Sequence, residues 1–478
     1  MAHLVRQAII DFDWFVLGYF VVLNTIYLAL VAIAAVAMAR AVGRAAFSGY
    51  DDIFANPLTP SVSILVPAYN EASEIVESVR AMLGLRYPEF EVVVIEDGST
   101  DDTFARLAEA FDLVQVPRVI PPLVRAMGEV LSVHMPRGGE PLVVVRKVNT
   151  SRRSDALAVG VNASRHSLIC MVDADSILEE GALLGVAKPF VDDPERVVAV
   201  GGVLRAINGT TVDGGRIVDA RMPKTWVERI QVIEYLRAFF LGRVGWSRMK
   251  GLLIVSGAFG LFRRDVVIEV GGLNLESLGE DAELVSCIHQ HLRETKQPYR
   301  VVFASEPVCW TEVPPTARIL ARQRRRWSYG LAQVLWNHRR MIGNPRYGLI
   351  GLLVLPYYLL FELLGPVVEL VGLAAVITGL ALGYLNVQFG LLFATVSVAY
   401  SVFLSVAALT VEEFSARRYR RWSDLRAGLV AAVLENIGFR QLHAWWRLRG
   451  LVAAILRRPA PWGAMPRAGF ITPPDVPR

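Results

Sequence analysis

Hydrophobic positions are distributed along this chain in two distinct ways. Residues 14–38, from Trp14 through Met38, form an apolar run with no charged side chain. At a 1.5 Å rise per residue, about 25 residues cross a hydrocarbon core of about 30 Å, so the run predicts one membrane-crossing helix. It lacks a small-residue cleavage site behind a short apolar core and reads as a retained anchor. Between 51 and 345 the apolar positions come in short runs instead. Ser63-Ile64-Leu65-Val66-Pro67, Glu91-Val92-Val93-Val94-Ile95 and Leu168 to Val172 read as buried parallel strands, and Ala72 to Leu83 as a helix with one apolar face. Strand, helix and strand make an α/β unit, and ligands of such sheets sit at the carboxyl ends of the strands. Asn70, Glu71, Asp97 and the pair Asp173 and Asp175 all fall there.

The second half turns apolar again. Residues 348–384 contain Pro356, Glu362, Pro366 and Glu369 and would make a helix of about 55 Å, too long for one crossing. Lysine and arginine favour the cytoplasmic side, and Arg417-Arg418-Tyr419-Arg420-Arg421 follows the next apolar run. With a cytoplasmic soluble block, an even number of crossings must intervene. The expected order is a membrane-surface segment at 346–362, then spans at 363–384 and 387–411. The stretch from Leu425 to Leu456, interrupted by Glu435, Arg440, Arg447 and Arg449, reads either as an interfacial segment or as one poor span. The expected division is an anchor at 1–50, a soluble block at 51–345, membrane helices at 346–458 and a disordered, proline- and glycine-rich tail at 459–478.

Composition agrees with a mixed protein. The 478 residues are 53% hydrophobic and 20% charged, with a mean hydropathy of +0.40. A net charge of +5 suits phosphate ligands and anionic headgroups, and no basic stripe on a binding fold points to nucleic acid. Cys170, Cys287 and Cys309 form no CxxC pair, which argues against a zinc site or a disulfide framework.

Three constellations carry chemistry. Asp173-Ala174-Asp175 after a strand sets two carboxylates at i and i+2, a hard-oxygen pair for magnesium or manganese on a diphosphate; a helix N-cap at Asp175 or Ser176 is the alternative. Gly279-Glu280-Asp281 opens a helix, either as a base for an acceptor hydroxyl or as an acidic first turn that complements the helix dipole. Gln323-Arg324-Arg325-Arg326-Trp327 offers an arginine fork for diphosphate and an indole face for a sugar; the alternative is a basic amphipathic helix on a membrane, and both can hold. Asp97 would accept from a base or ribose, or simply close an Asp-Gly turn. His289 and His291 are two apart on a helix, cannot share a face, and are not expected to be ligands.

The order Pro67-Ala68-Tyr69-Asn70-Glu71, Glu96-Asp97-Gly98-Ser99, Asp173-Ala174-Asp175, Gly279-Glu280-Asp281 and Gln323 to Trp327 resembles the family 2 glycosyltransferases of the membrane polysaccharide-synthase type, which make cellulose, chitin oligosaccharide, hyaluronan and poly-N-acetylglucosamine. The resemblance covers residues 60–345. It implies a GT-A, Rossmann-like cytosolic domain with transmembrane helices, a UDP-sugar donor, a divalent cation, and inversion by one displacement with Asp281 as base. It assigns Asn70, Glu71, Asp97, Asp173, Gln323 and Arg326 to the donor, Trp327 and Gly257 to the acceptor, and Asp173 and Asp175 to the metal. Thr150, Ser151, Arg152 and Arg153 stand where relatives carry glycines and a lysine. The expected product is a β-linked glycan made processively at the plasma membrane. One or a few sugars added to a membrane lipid is the alternative, and a silent scaffold or export partner a lesser one. A homo-oligomer would supply a conduit that one protomer lacks.

Overall fold

The structure, a computed structural model, describes residues 2–42, 50–384, 387–415, 419 and 421–458. Arg417, Arg418, Arg420 and the tail after 458 lie outside the described residues. The chain divides into two units.

The α/β unit draws on Gly43–Lys224 and Ser247–Val313. Its strands are β1 (Val62–Ala68), β2 (Phe90–Glu96), β3 (Leu113–Val116), β4 (Val130–Pro136), β5 (Leu142–Lys147), β6 (Leu168–Val172), β7 (Ile177–Leu178), β8 (Val197–Ala206), β9 (Thr211–Asp213), β10 (Arg216–Asp219), β11 (Phe259–Arg263) and β12 (Arg300–Thr311). Ten of them form one mixed sheet in the order β3-β4-β5-β2-β1-β6-β11-β8-β12-β7, while β9 and β10 pair separately. β1 lies between β2 and β6, parallel to both. Val, Ile and Leu side chains fill these central strands on both faces, as a sheet covered by helices on either side requires. Gly202 in β8 is forced by packing, since a Cβ there would meet the Phe259 ring at 2.2 Å.

Strands expected at 63–67 and 91–95 extend one residue further at each end, and the strand at Leu168 to Val172 is found as expected. The first crossover helix begins at Ile75 rather than Ala72. Ser176 opens no helix: β7 follows it, and the next helix starts at Ala182 behind Gly181. The N-cap reading of Asp175 and Ser176 therefore does not hold.

The helical unit draws on Met1–Val42, Thr225–Trp246 and Pro314–Gly463. Its N-terminal helix runs over Ala2–Val42 and packs Val16, Leu17 and Phe20 against Val376. Among the described residues one helix, Ile9–Ala37, is long and apolar enough to cross a membrane; Ile350–Leu363 and Gly365–Ala381, bent by 43°, count together as at most one more. The segment expected as a span at 387–411 is helical in shorter pieces, Val387–Ala394, Thr395–Ala399 and Tyr400–Ser415.

The charges that interrupt the apolar runs are paired inside this unit. Arg447 reaches Glu362 Oε2 at 3.1 Å, Arg440 reaches Glu369 at 2.8 Å, and Arg237 grips both oxygens of Glu435. An unpaired charge out of water is costly, so each acid matched by a guanidinium explains how these helices carry charges at all.

Candidate active site

Two loops at the carboxyl ends of β1 and β2 are laced together. Asn70, in the left-handed region at φ 58°, accepts at Oδ1 from Thr100 N at 2.8 Å, and its own N–H donates to Ser99 Oγ at 3.1 Å. Glu71 N donates to Thr103 Oγ1 at 2.9 Å. A short amide side chain tolerates this conformation, so Asn70 forms the turn as well as facing the sheet's ligand end. Asp97 is buried at the end of β2. Its carboxylate pairs with the buried Lys147 ammonium, and its carbonyl accepts from Asn149 Nδ2 at 2.6 Å.

Lys147 is shared, because Asp155 Oδ2 lies 3.0 Å from the same ammonium. Asp155 also accepts from Met127 N at 2.5 Å, Gly128 N at 3.1 Å and Thr150 Oγ1 at 2.8 Å. Burial alone would raise its pKa, but these donors and the ammonium hold it below the usual carboxylate range. Asp97 has fewer donors, and burial pushes it up to about 6 against the pull of Lys147.

Arg153, at the start of helix Arg153–Ala163, is the hub of a second cluster. Its Nε and Nη2 donate to Asp173 Oδ1 at 2.9 and 2.6 Å, Nη1 pairs with Glu280, and Nη2 donates to the Gly257 carbonyl at 2.9 Å. Burial works against the charge, yet the two carboxylates raise the guanidinium's pKa above its usual range. Gly257 makes room for it: a Cβ there would lie 3.0 Å from Arg153 Nη1. Asp281, next to Glu280 in the first turn of helix Glu280–Glu294, is half-buried, and its Oδ1 accepts from Ala282 N at 2.9 Å. Asp175 is buried and accepts at Oδ1 from Ser176 and Thr311 hydroxyls, each at 3.3 Å. One guanidinium thus ties together Asp173, Gly257 and Glu280 from three separate segments.

In the helical unit, Gln323, Arg326 and Trp327 lie on helix Ala317–Asn337. Trp327 is 43% exposed, and the Arg324 guanidinium stacks over its ring at 4.3 Å. Arg324 is itself buried and donates to Glu234 Oε2 at 2.7 Å. Gln323 Oε1 is buried without a hydrogen-bond partner.

Residues 60–330, more than half of the chain, match the family described as glycosyltransferase like family 2. The chain belongs to the family 2 glycosyltransferases. It is 26% identical over 277 residues to the probable glycosyltransferase YdaM of Bacillus subtilis, and 24% identical over 274 residues to poly-β-1,6-N-acetyl-D-glucosamine synthase of Staphylococcus epidermidis. Each match covers 57% of this chain and 55% of the relative, so the chain spans about half the length of the curated relatives it matches. Among solved structures, the mannosyltransferase PcManGT from Pyrobaculum calidifontis, in complex with GDP-Man and Mn2+, superposes with a TM-score of 0.50 at 21% identity, over 86% of this chain and 99% of that one. It shares the fold.

Within this glycosyltransferase the donor set at Asp173 and Asp175 suits a hard divalent cation. Both groups are carboxylates, and both bonds from Arg153 to Asp173 fall on Oδ1 alone. Arg153 meets two acids, Asp173 and Glu280, with one positive charge. Two residues of the site stand outside the sequence motifs. Arg153 falls in the stretch where relatives carry glycines and a lysine, and Lys147 lies in none of the motifs. For Lys147 the available signal is a lysine that closes the run Leu142-Val143-Val144-Val145-Arg146, since a charge at the end of a buried strand demands an acid. His289 is no ligand candidate: its ring nitrogens lie 2.8 Å from Tyr299 Oη and 2.9 Å from the Leu252 carbonyl.

Proposed function

We propose that this glycosyltransferase takes a sugar from a UDP-sugar and adds it, with inversion, to a growing β-linked glycan at the cytoplasmic face of the plasma membrane. In this reading Asp281 accepts the proton of the acceptor hydroxyl as that oxygen bonds to the anomeric carbon. The bond from the same carbon to the diphosphate breaks, and its electron pair leaves with UDP. Asn70, Glu71 and Asp97 hold the nucleoside, Gln323 and Arg326 the diphosphate, and Trp327 and Gly257 border the acceptor. Asp173 and Asp175 would hold magnesium or manganese, which would supply positive charge at the leaving diphosphate. A tryptophan face that keeps the chain end while the product shifts by one sugar makes the reaction processive.

The observation that carries this reading is the Arg153 bridge, which fixes Asp173 and the Glu280–Asp281 turn in one cluster. The name of the Staphylococcus relative supports a glycan acceptor, and the manganese of the mannosyltransferase supports a divalent cation. The full chain in nanodiscs, given UDP-sugars with either metal and a lipid extract, should release UDP and build a polymer. A product that partitions wholly as glycolipid would replace the glycan with a lipid acceptor. No turnover of any UDP-sugar in either metal would refute the donor assignment.

A further inference from the structure

The segment between β3 and β4 serves neither the sheet nor the cluster around Arg153. Val119 is 92% exposed, Leu123 41% and Met127 52%. Such side chains on a mobile loop would mean little. Here the segment is held at four points to the helix Arg153–Ala163. Arg118 Nη2 donates to the Ala163 carbonyl at 2.7 Å, Asn162 exchanges bonds of 2.8 and 3.0 Å with the Val124 backbone, and Met127 and Gly128 donate to Asp155. Pro121 and Pro122 stiffen the stretch further, and Val124 turns inward as a buried anchor. A rigid segment displaying apolar side chains loses little conformational entropy when something covers them.

We infer that residues 119–127 are a membrane-contacting loop that seats in the headgroup region of an anionic leaflet. Between the exposed acids Asp112 and Glu129, the sixteen residues from Leu113 to Gly128 contain no aspartate or glutamate, but do contain Arg118 and the exposed Arg125. Apolar tips beside basic residues, with no acid between them, match the boundary between acyl chains and anionic headgroups. A protein partner or a second copy would not need the segment to be acid-free. The helix Ile9–Ala37 is long and apolar enough to cross a membrane, and on the function proposed above it brings the chain to a lipid surface.

The test uses the full chain with Cys287→Ser, since Cys170 and Cys309 are buried, and an environment-sensitive fluorophore on Val119→Cys. In phosphatidylcholine–phosphatidylglycerol nanodiscs its emission shifts to the blue and is quenched by lipid spin-labelled near the headgroup, whereas a label on exposed Glu195→Cys does neither. Arg125→Gln weakens the quenching about fivefold in these discs and not in pure phosphatidylcholine. A water-like, unquenched emission at Val119 overturns the inference. So does a blue shift without quenching by lipid, which would mean that protein covers the loop.

Discussion

Arg153 and Asp173 form a two-pronged ion pair, with Nε and Nη2 at 2.9 and 2.6 Å from a single carboxylate oxygen. Because Nη1 of the same fork holds Glu280, the geometry needs a planar guanidinium and not merely a positive charge. Arg153→Lys keeps the charge but can satisfy only one acid at full strength. Loss of one charge-assisted hydrogen bond, about 1.5–3 kcal/mol, corresponds to a fall of about tenfold to a hundredfold in kcat. Steady-state UDP release checks this, and a lysine variant with unchanged kcat would show that the bridge does not position the site.

Asp281→Asn removes the proposed base while keeping size and the hydrogen bond from Ala282 N. General base catalysis contributes about a hundredfold to ten-thousandfold, so transfer should drop by that factor. UDP affinity measured by calorimetry should stay the same, because the asparagine subtracts nothing from the nucleoside site. Transfer at the normal rate would remove Asp281 from its role.

The strands were legible because a central parallel sheet writes itself as short Val- and Ile-rich runs, and β6 coincides with its expected bounds. The carboxylates at the ends of those strands followed directly. The Arg153 bridge was not legible, because its partners lie 20, 104 and 127 residues away and only the fold brings them together. The same holds for Glu435, Arg440 and Arg447. In sequence they look like flaws in an apolar run, and in the structure each meets an opposite charge from a distant helix.

Asp97 gives a pH signature. Its carboxyl titrates at about 6 in the folded protein against 3.8 as an ordinary aspartate. The folded state therefore binds more protons between these values, and this group's contribution to stability falls as pH rises through the window and is level above about 6. Asp97→Asn lacks the effect and leaves Lys147 paired with Asp155. In thermal melts the variant should gain on the parent from about pH 4 to about 6 and run parallel to it above. A parent that gains on the variant over that range would mean that Lys147 wins over burial.

Divalent cation removal should stop transfer without unfolding the α/β unit, since Asp173 stays neutralised by Arg153 and Asp175 stays bonded to the Ser176 and Thr311 hydroxyls. Chelation should abolish UDP release, with manganese or magnesium restoring it and the melting temperature nearly unchanged. Asp175→Asn should raise the metal concentration needed for half-maximal rate. Full activity in chelator would show that the cluster works without a metal.

Arg324 is buried, stacks on Trp327 and depends on Glu234 for its counter-charge. Glu234→Ala strands that guanidinium, and breaking a buried pair on one side costs about 3–5 kcal/mol. Glu234→Gln retains an acceptor and should cost less. Removing both charges with Glu234→Leu and Arg324→Leu together should restore much of the lost stability, because the penalty comes from the orphaned charge and not from the missing contact. Denaturant melts of the parent, Glu234→Leu, Arg324→Leu and the double variant measure the coupling directly. The double variant should still change tryptophan emission, since Trp327 loses the cation over its ring even where stability returns. Additive losses in the double variant would show that Glu234 and Arg324 do not act as a pair.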